Sequence, residues 1–178
     1  QDAADSTTTD DTTDKQPVLL ITGGKITVNA DGDGLDSNGN LRVEGGDITV
    51  NGPSNGGNGA LDIGTENGGA GVIAGGTLIA LGTSSMAENF GSTSTQCAFL
   101  VTMNSFGAGE TITITDSQGT VLYTGVTVKS ANSVVFSSAD LVVGETYTVT
   151  IGSNSATVTQ SSTVVGNSNG FGGGFGRH

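Results

Sequence analysis

At 178 residues the chain is long enough for one domain with a real core or for two small ones. Apolar residues make up 34%, aromatics only 4%, and Trp is absent, so any core is built from Val, Ile, Leu and Ala rather than large rings. Seventeen acidic residues against five basic give a net charge of −12, which argues against nucleic acid and anionic membrane as partners and suits metal cations or a secreted protein kept soluble by self-repulsion.

Residues 1–16, "QDAADSTTTDDTTDKQ", hold five Asp and five Thr with no apolar period and read as a solvated linker or tail. The chain begins with Gln rather than Met, and removal of an N-terminal piece is expected. No apolar run approaches membrane-spanning length. No stretch of eleven or more residues carries a 3.6-residue apolar period, and 31 glycines with two prolines point to many tight turns.

Residues 17–96 repeat. Gly-Gly pairs precede alternating runs in "GGKITV" (23–28), "GGDITV" (45–50) and "GGTLIA" (75–80), at steps of 22 and 30 residues, the range of one solenoid coil. Ile21, Val43 and Ile73 align before the pairs, as do Leu19, Leu41 and Gly71. Ile26, Ile48 and Leu78 align after them, followed by Val28, Val50 and Ala80. A further column reads Leu35-Asp36, Leu61-Asp62 and Met86-Ala87. Aliphatic columns of like size are what parallel strands need when coils stack and fill a narrow interior. The expected fold is all-β: a short right-handed parallel β-helix of about three coils, its hand set by the crossover rule. A β-sandwich with coincidental repeats is the alternative, but its strands have no reason to keep three aligned columns.

Residues 97–165 change pattern. "CAFLVTM", "ETITITD", "GTVLYTG", "NSVVFSS" and "ETYTVTIG" are short strands with the turn signals "DSQG" and "VVGE", and read as antiparallel hairpins. Ile79 falls in an outward register of the last coil, so the hairpins are expected to cover it and cap that end. Tyr123 and Tyr147 read as core. Cys97 has no second cysteine to pair with and reads as a small buried side chain. Residues 166–178 form a Gly/Asn-rich tail.

The stretch "NADGDGLDSNGN" (29–40) concentrates Asp31, Asp33 and Asp36 within six residues, with Asn38 and Asn40 beyond. Ca²⁺ suits such oxygen-rich loops, because it takes six to eight oxygen ligands in flexible geometry. Asp62 shares the column of Asp36 one coil away, and facing carboxylates favour a bridging cation or a raised pKa. The expected metal ligands are therefore Asp31, Asp33, Asp36, Asn38 and Asp62. Turn-capping Asx bonds are the alternative; paired catalytic carboxylates are a third. Lys25 and Asp47 share a column as an exposed ion pair. Arg42 could bind a uronate carboxylate, an unpaired surface Arg being the commoner outcome; no sugar-contacting residue is assigned, Lys25 and Arg42 being weak candidates.

The strings "GGKITVNADGDGLDSNGNLRVEGGDITVNGPSNGGNGALD", "GGTLIALGTSSMAENF", "STSTQ" and "SVVFSSADLVVGETYTV" resemble the carbohydrate-binding-domain family of secreted bacterial β-helix proteins. The resemblance runs from about residue 17 to 152. It implies a polysaccharide-lyase-like fold, bound calcium, and attachment to cellulose and acidic pectic sugars without lyase activity. It also carries the acidic loop over onto Asp31, Asp33 and Asp36, with Asp62 added by stacking. Family members are usually longer, with more coils before the "GDGLDSNG" coil, so other coils come from elsewhere or are replaced by association.

Three functions follow as expectations. The first is a non-catalytic, extracellular or cell-surface protein that binds an acidic or cellulosic polysaccharide. The second is a structural subunit of a filament or matrix that pairs with copies of itself or with a chain supplying the missing coils. The third is a lyase, for which only Lys25, Arg42 and Lys129 could serve as bases.

Overall fold

A computed structural model describes residues 16–166. The expected linker and tail fall outside the described residues, except Gln16, whose side-chain amide donates to Asn67 O at 2.7 Å, and Gly166. The described chain is all-β, its helical turns being two three-residue 3₁₀ segments, Thr65–Asn67 and Ser84–Met86. No helix among the described residues is long and apolar enough to cross a membrane.

The first pass of chain forms β1 (Val18–Ile21), β2 (Lys25–Asn29) and β3 (Leu35–Ser37). The second forms β4 (Asn40–Val43), β5 (Asp47–Asn51) and β6 (Leu61–Ile63), and the third β7 (Gly71–Ile73) and β8 (Thr77–Gly82). Like strands of successive passes pair in parallel. Leu19 lies beside Leu41 and Leu41 beside Gly71; Ile21, Val43 and Ile73 follow in the same ladder. Ile26, Ile48 and Leu78 form a second row, with Val28, Val50 and Ala80 beyond it. Leu35 pairs with Leu61, and Asp36 with Asp62. These are the registers the aliphatic columns imply, because a one-residue slip would turn every inward side chain outward. Gly71 is small for a packing reason: a Cβ there would collide with the Ile63 side chain, and Phe90 lies just behind.

The third layer of the Leu-Asp column differs from expectation. Met86 ends a 3₁₀ turn and is exposed, and the buried residue is Ala87. β6 has no third strand beside it, so its Ile63 amide is met by a side chain instead, as described below.

The second half of the chain is β9 (Ala98–Phe106), β10 (Thr111–Thr115), β11 (Val121–Val126), β12 (Ala131–Ser137), β13 (Thr146–Ile151), β14 (Asn154–Thr159) and β15 (Val164–Val165). It does not form a separate set of hairpins laid over the parallel ladders. β12 hydrogen-bonds antiparallel to β8 and to β9, giving one six-stranded sheet in the order β15-β9-β12-β8-β5-β2. That sheet is mixed, with β15 parallel to β9, and the described sheets are open ones. A four-stranded antiparallel sheet, β11-β10-β13-β14, completes the fold.

Strand alternation divides the six-stranded sheet between two cores. Leu78, Ala80, Ala98, Leu100 and Val135 face the cluster enclosed by the parallel ladders. Ile79, Leu81, Phe99, Val101, Val134 and Phe136 face a second cluster with Ile112, Ile114, Tyr147, Val149 and Ile151 of the four-stranded sheet. The outward Ile79 is therefore covered. Tyr147 is fully buried, and its hydroxyl accepts from Val142 N at 2.7 Å. Tyr123 packs against the same cluster half-buried.

Candidate functional site

The acidic stretch lies at the corner between β2 and β4, where successive passes stack backbone on backbone. Gly34 N donates to Gly59 O at 3.0 Å, and Leu35 N to Ala60 O at 3.0 Å. A Cβ on Gly34 would strike Ala60 O and the Val50 side chain, so the corner requires glycine there.

The five expected ligands do not all meet. Asp31 is engaged by Lys129, whose Nζ lies 2.7 Å from its Oδ1 and 2.6 Å from Ala30 O; that ion holds the Asp31 carboxyl below its usual range. Asp33 Oδ1 accepts from Gly59 N at 2.7 Å, which is turn-capping chemistry reaching into the next pass. Asn38 is exposed. Asp36 and Asp62 are the two the fold places side by side, as direct partners across β3 and β6.

A residue outside the predicted set extends this pair. Glu88 Oε2 accepts from Ile63 N at 2.7 Å, completing the β6 edge where a third strand is missing. Asp36, Asp62 and Glu88 are spaced by 26 and 26 residues, and that equal step was the available signal. The Met86-Ala87 alignment misses it by one position.

The row is electrostatically strained. Burial, then Asp33, Asp36 and Glu66, push the Asp62 carboxyl above its ordinary range. Burial also raises Glu88 against the lowering effect of its Ile63 bond, and Asp62, Glu66 and Asp33 add to the rise. Hard anionic oxygens of this kind suit Ca²⁺ in chemistry. In geometry, no group of three or more Asp, Glu, His or Cys side chains among the described residues converges on one metal position.

The weak sugar-contact candidates lie on different sheets. Lys25 sits on β2, 3.3 Å from Asp47 Oδ2, both strongly exposed. Arg42 sits on the outer face of β1-β4-β7, its Nε 2.6 Å from Glu44 Oε1. Parallel register places Leu20, Arg42 and Val72 in one row across that face, and Val18 and Asn40 in the next. Asn40 Oδ1 accepts from Ala70 N at 2.9 Å, which closes the second row. Val18 and Leu20 are 57% and 51% exposed, and the face carries a shallow groove of about 210 Å³ lined by Val18, Asn40, Arg42, Ala70 and Val72. Cys97 is half-buried against the second core, and burial pushes its thiol up.

No family model, curated protein or solved structure matches the chain.

Proposed function

We propose that the chain is a non-catalytic, extracellular polysaccharide-binding protein whose residues 17–96 wind as a right-handed parallel β-helix of about three coils. The winding reading rests on the first two passes visiting the three ladders in the same order, on the third joining the first two of them in that order, and on the crossover rule for parallel strands.

The observation that carries the binding reading is the outer face of β1-β4-β7. Leu20, Val72 and Val18 offer a flat aliphatic surface for the C–H faces of sugar rings, and Arg42 stands among them. Glu44 takes the Arg42 Nε, and no acceptor among the described residues takes its terminal nitrogens. A guanidinium anchored in this way presents a two-donor edge that matches a carboxylate. An acidic glycan such as polygalacturonate is the ligand class this favours. Of the expected calcium ligands, Asp36 and Asp62 are the two that the ladder pairs, and a Ca²⁺ ion held there would offset their mutual repulsion.

Each base expected of a lyase is ion-paired among the described residues, Arg42 through its Nε alone. Lys25 is paired with Asp47, Lys129 with Asp31, and Arg42 with Glu44.

Co-sedimentation with polygalacturonate and with cellulose, with and without chelator, tests the proposal. Wild-type protein binds polygalacturonate in calcium, and Arg42→Ala weakens binding about tenfold, equivalent to about 1.4 kcal/mol. Absence of binding to any glycan defeats the reading.

A further inference from the structure

Each strand of the first pass is the outermost strand of its sheet. β1 begins the order β1-β4-β7, β2 ends the six-stranded sheet, and β3 pairs with β6 alone. Inward side chains register what is lacking there. Leu41, Ile48 and Val50 are 0%, 1% and 0% exposed, whereas Leu19, Ile26 and Val28, one strand along in the same columns, remain only partly buried. The side chains are of like kind and face the same way, so the difference is one missing layer.

The far end of the stack is closed. β12 covers the edge of β8, and Glu88 completes β6. Gly91 N donates to Gly71 O at 2.7 Å and Thr95 N to Ile73 O at 3.1 Å, while buried Ser94 Oγ accepts from Ile73 N, so β7 is covered too. Phe90 and Ala87 plug the interior.

The chain's own remaining segments are poor covers for the open end. Residues 1–15 contain five Asp and, as apolar residues, only Ala3 and Ala4, a composition that supplies no aliphatic column. The twelve residues after Gly166 leave from β15, at the opposite edge of the sheet from β2.

We propose that the open end is covered by the same end of a second copy, giving a closed head-to-head dimer. β2, Lys-Ile-Thr-Val-Asn, matches itself when turned antiparallel about Thr27. Ile26 then lies opposite Val28 of the twin on the inward face, and Lys25 opposite Asn29 on the outward face, with no like charges opposed. The same parallel ladder already accepts an antiparallel strand at its other edge, where β12 pairs with β8. Because the far end is closed, the contact is isologous and assembly stops at two. A −12 charge on each copy opposes association, so the dimer strengthens as salt rises.

Sedimentation equilibrium at low and high salt, without glycan, tests this. The expected mass is twice the 17.5 kDa chain, with Val28→Lys weakening association at least tenfold. Thr27→Cys, placed in a Cys97→Ala background, keeps the test sound if Val28→Lys misfolds: its position on the two-fold axis predicts a disulfide-linked dimer under mild oxidation. A monomer at every salt, oligomers that grow beyond two, or a dimer that Thr27→Cys cannot cross-link each overturns the proposal. A dimer without glycan affinity defeats only the binding reading.

Discussion

Phe136 stands directly opposite Ile79 across the antiparallel pairing of β12 with β8, and neither side chain reaches solvent. The Phe136 ring lies 5.6 Å from Phe99 and 5.8 Å from Tyr123. β8 sends Leu78 and Ala80 into the other core, so one strand serves both. Phe136→Ala is expected to destabilise by about 3–5 kcal/mol. Calorimetry should show one transition shifted as a whole; two separate transitions would mean the parallel ladders fold independently of residues 98–165.

Glu88 and Asp62 set a pH dependence. Both carboxyls are raised in the fold, so between neutral pH and their ordinary values of 4.5 and 3.8 the native state binds more protons than the unfolded chain. Stability in chelating buffer therefore rises as pH falls through that window. Below it the gain ends, and the lowered carboxyls of Asp31 and Asp116 begin to cost stability as they protonate. Glu88→Gln keeps an acceptor for Ile63 N and removes the charge. Its Tm should exceed wild type at pH 7 and converge with it near the ordinary Glu value; a lower Tm at pH 7 would refute the repulsion.

Gly64 is required by close approach rather than by its backbone angles. Its φ is −64°, open to any residue, yet a Cβ would run into the backbone of Asn38 and Gly39 in the pass beside it. Gly64→Ala should cost about 1–3 kcal/mol in a urea melt. An unchanged midpoint would mean the two passes are farther apart than described.

Tyr147 ties the 140–142 turn to the second core through its hydroxyl bond with Val142 N. Tyr147→Phe keeps the buried ring and removes that acceptor, for an expected loss of about 1 kcal/mol. Hydrogen exchange at the Val142 amide should accelerate in the same variant.

The stacked registers were legible in the sequence because they rest on short-range pattern: strand period two, paired glycines at each turn, and aliphatic residues of like size at the same offset. Glu88 was hidden by a plausible neighbour, since Met86-Ala87 offers an apolar residue at nearly the right step. The Lys129–Asp31 link joins residues 98 apart and depends on where β12 begins, which no local pattern encodes. Outward Ile79 announced that something covers it. That the cover would come partly as an added strand in the same sheet was not legible, because an edge strand's next partner is chosen by tertiary packing. The two-residue β15, parallel where hairpins were expected, is too short to leave a periodic trace.

We propose that the outer face of β1-β4-β7 holds an acidic glycan through Arg42. The most direct measurement is an amide chemical-shift titration with oligogalacturonate in calcium. Shifts are expected to cluster at Leu20, Arg42, Glu44 and Val72 and to be absent in Arg42→Ala. Saturable shifts confined to another face, or none at saturating sugar, would contradict it.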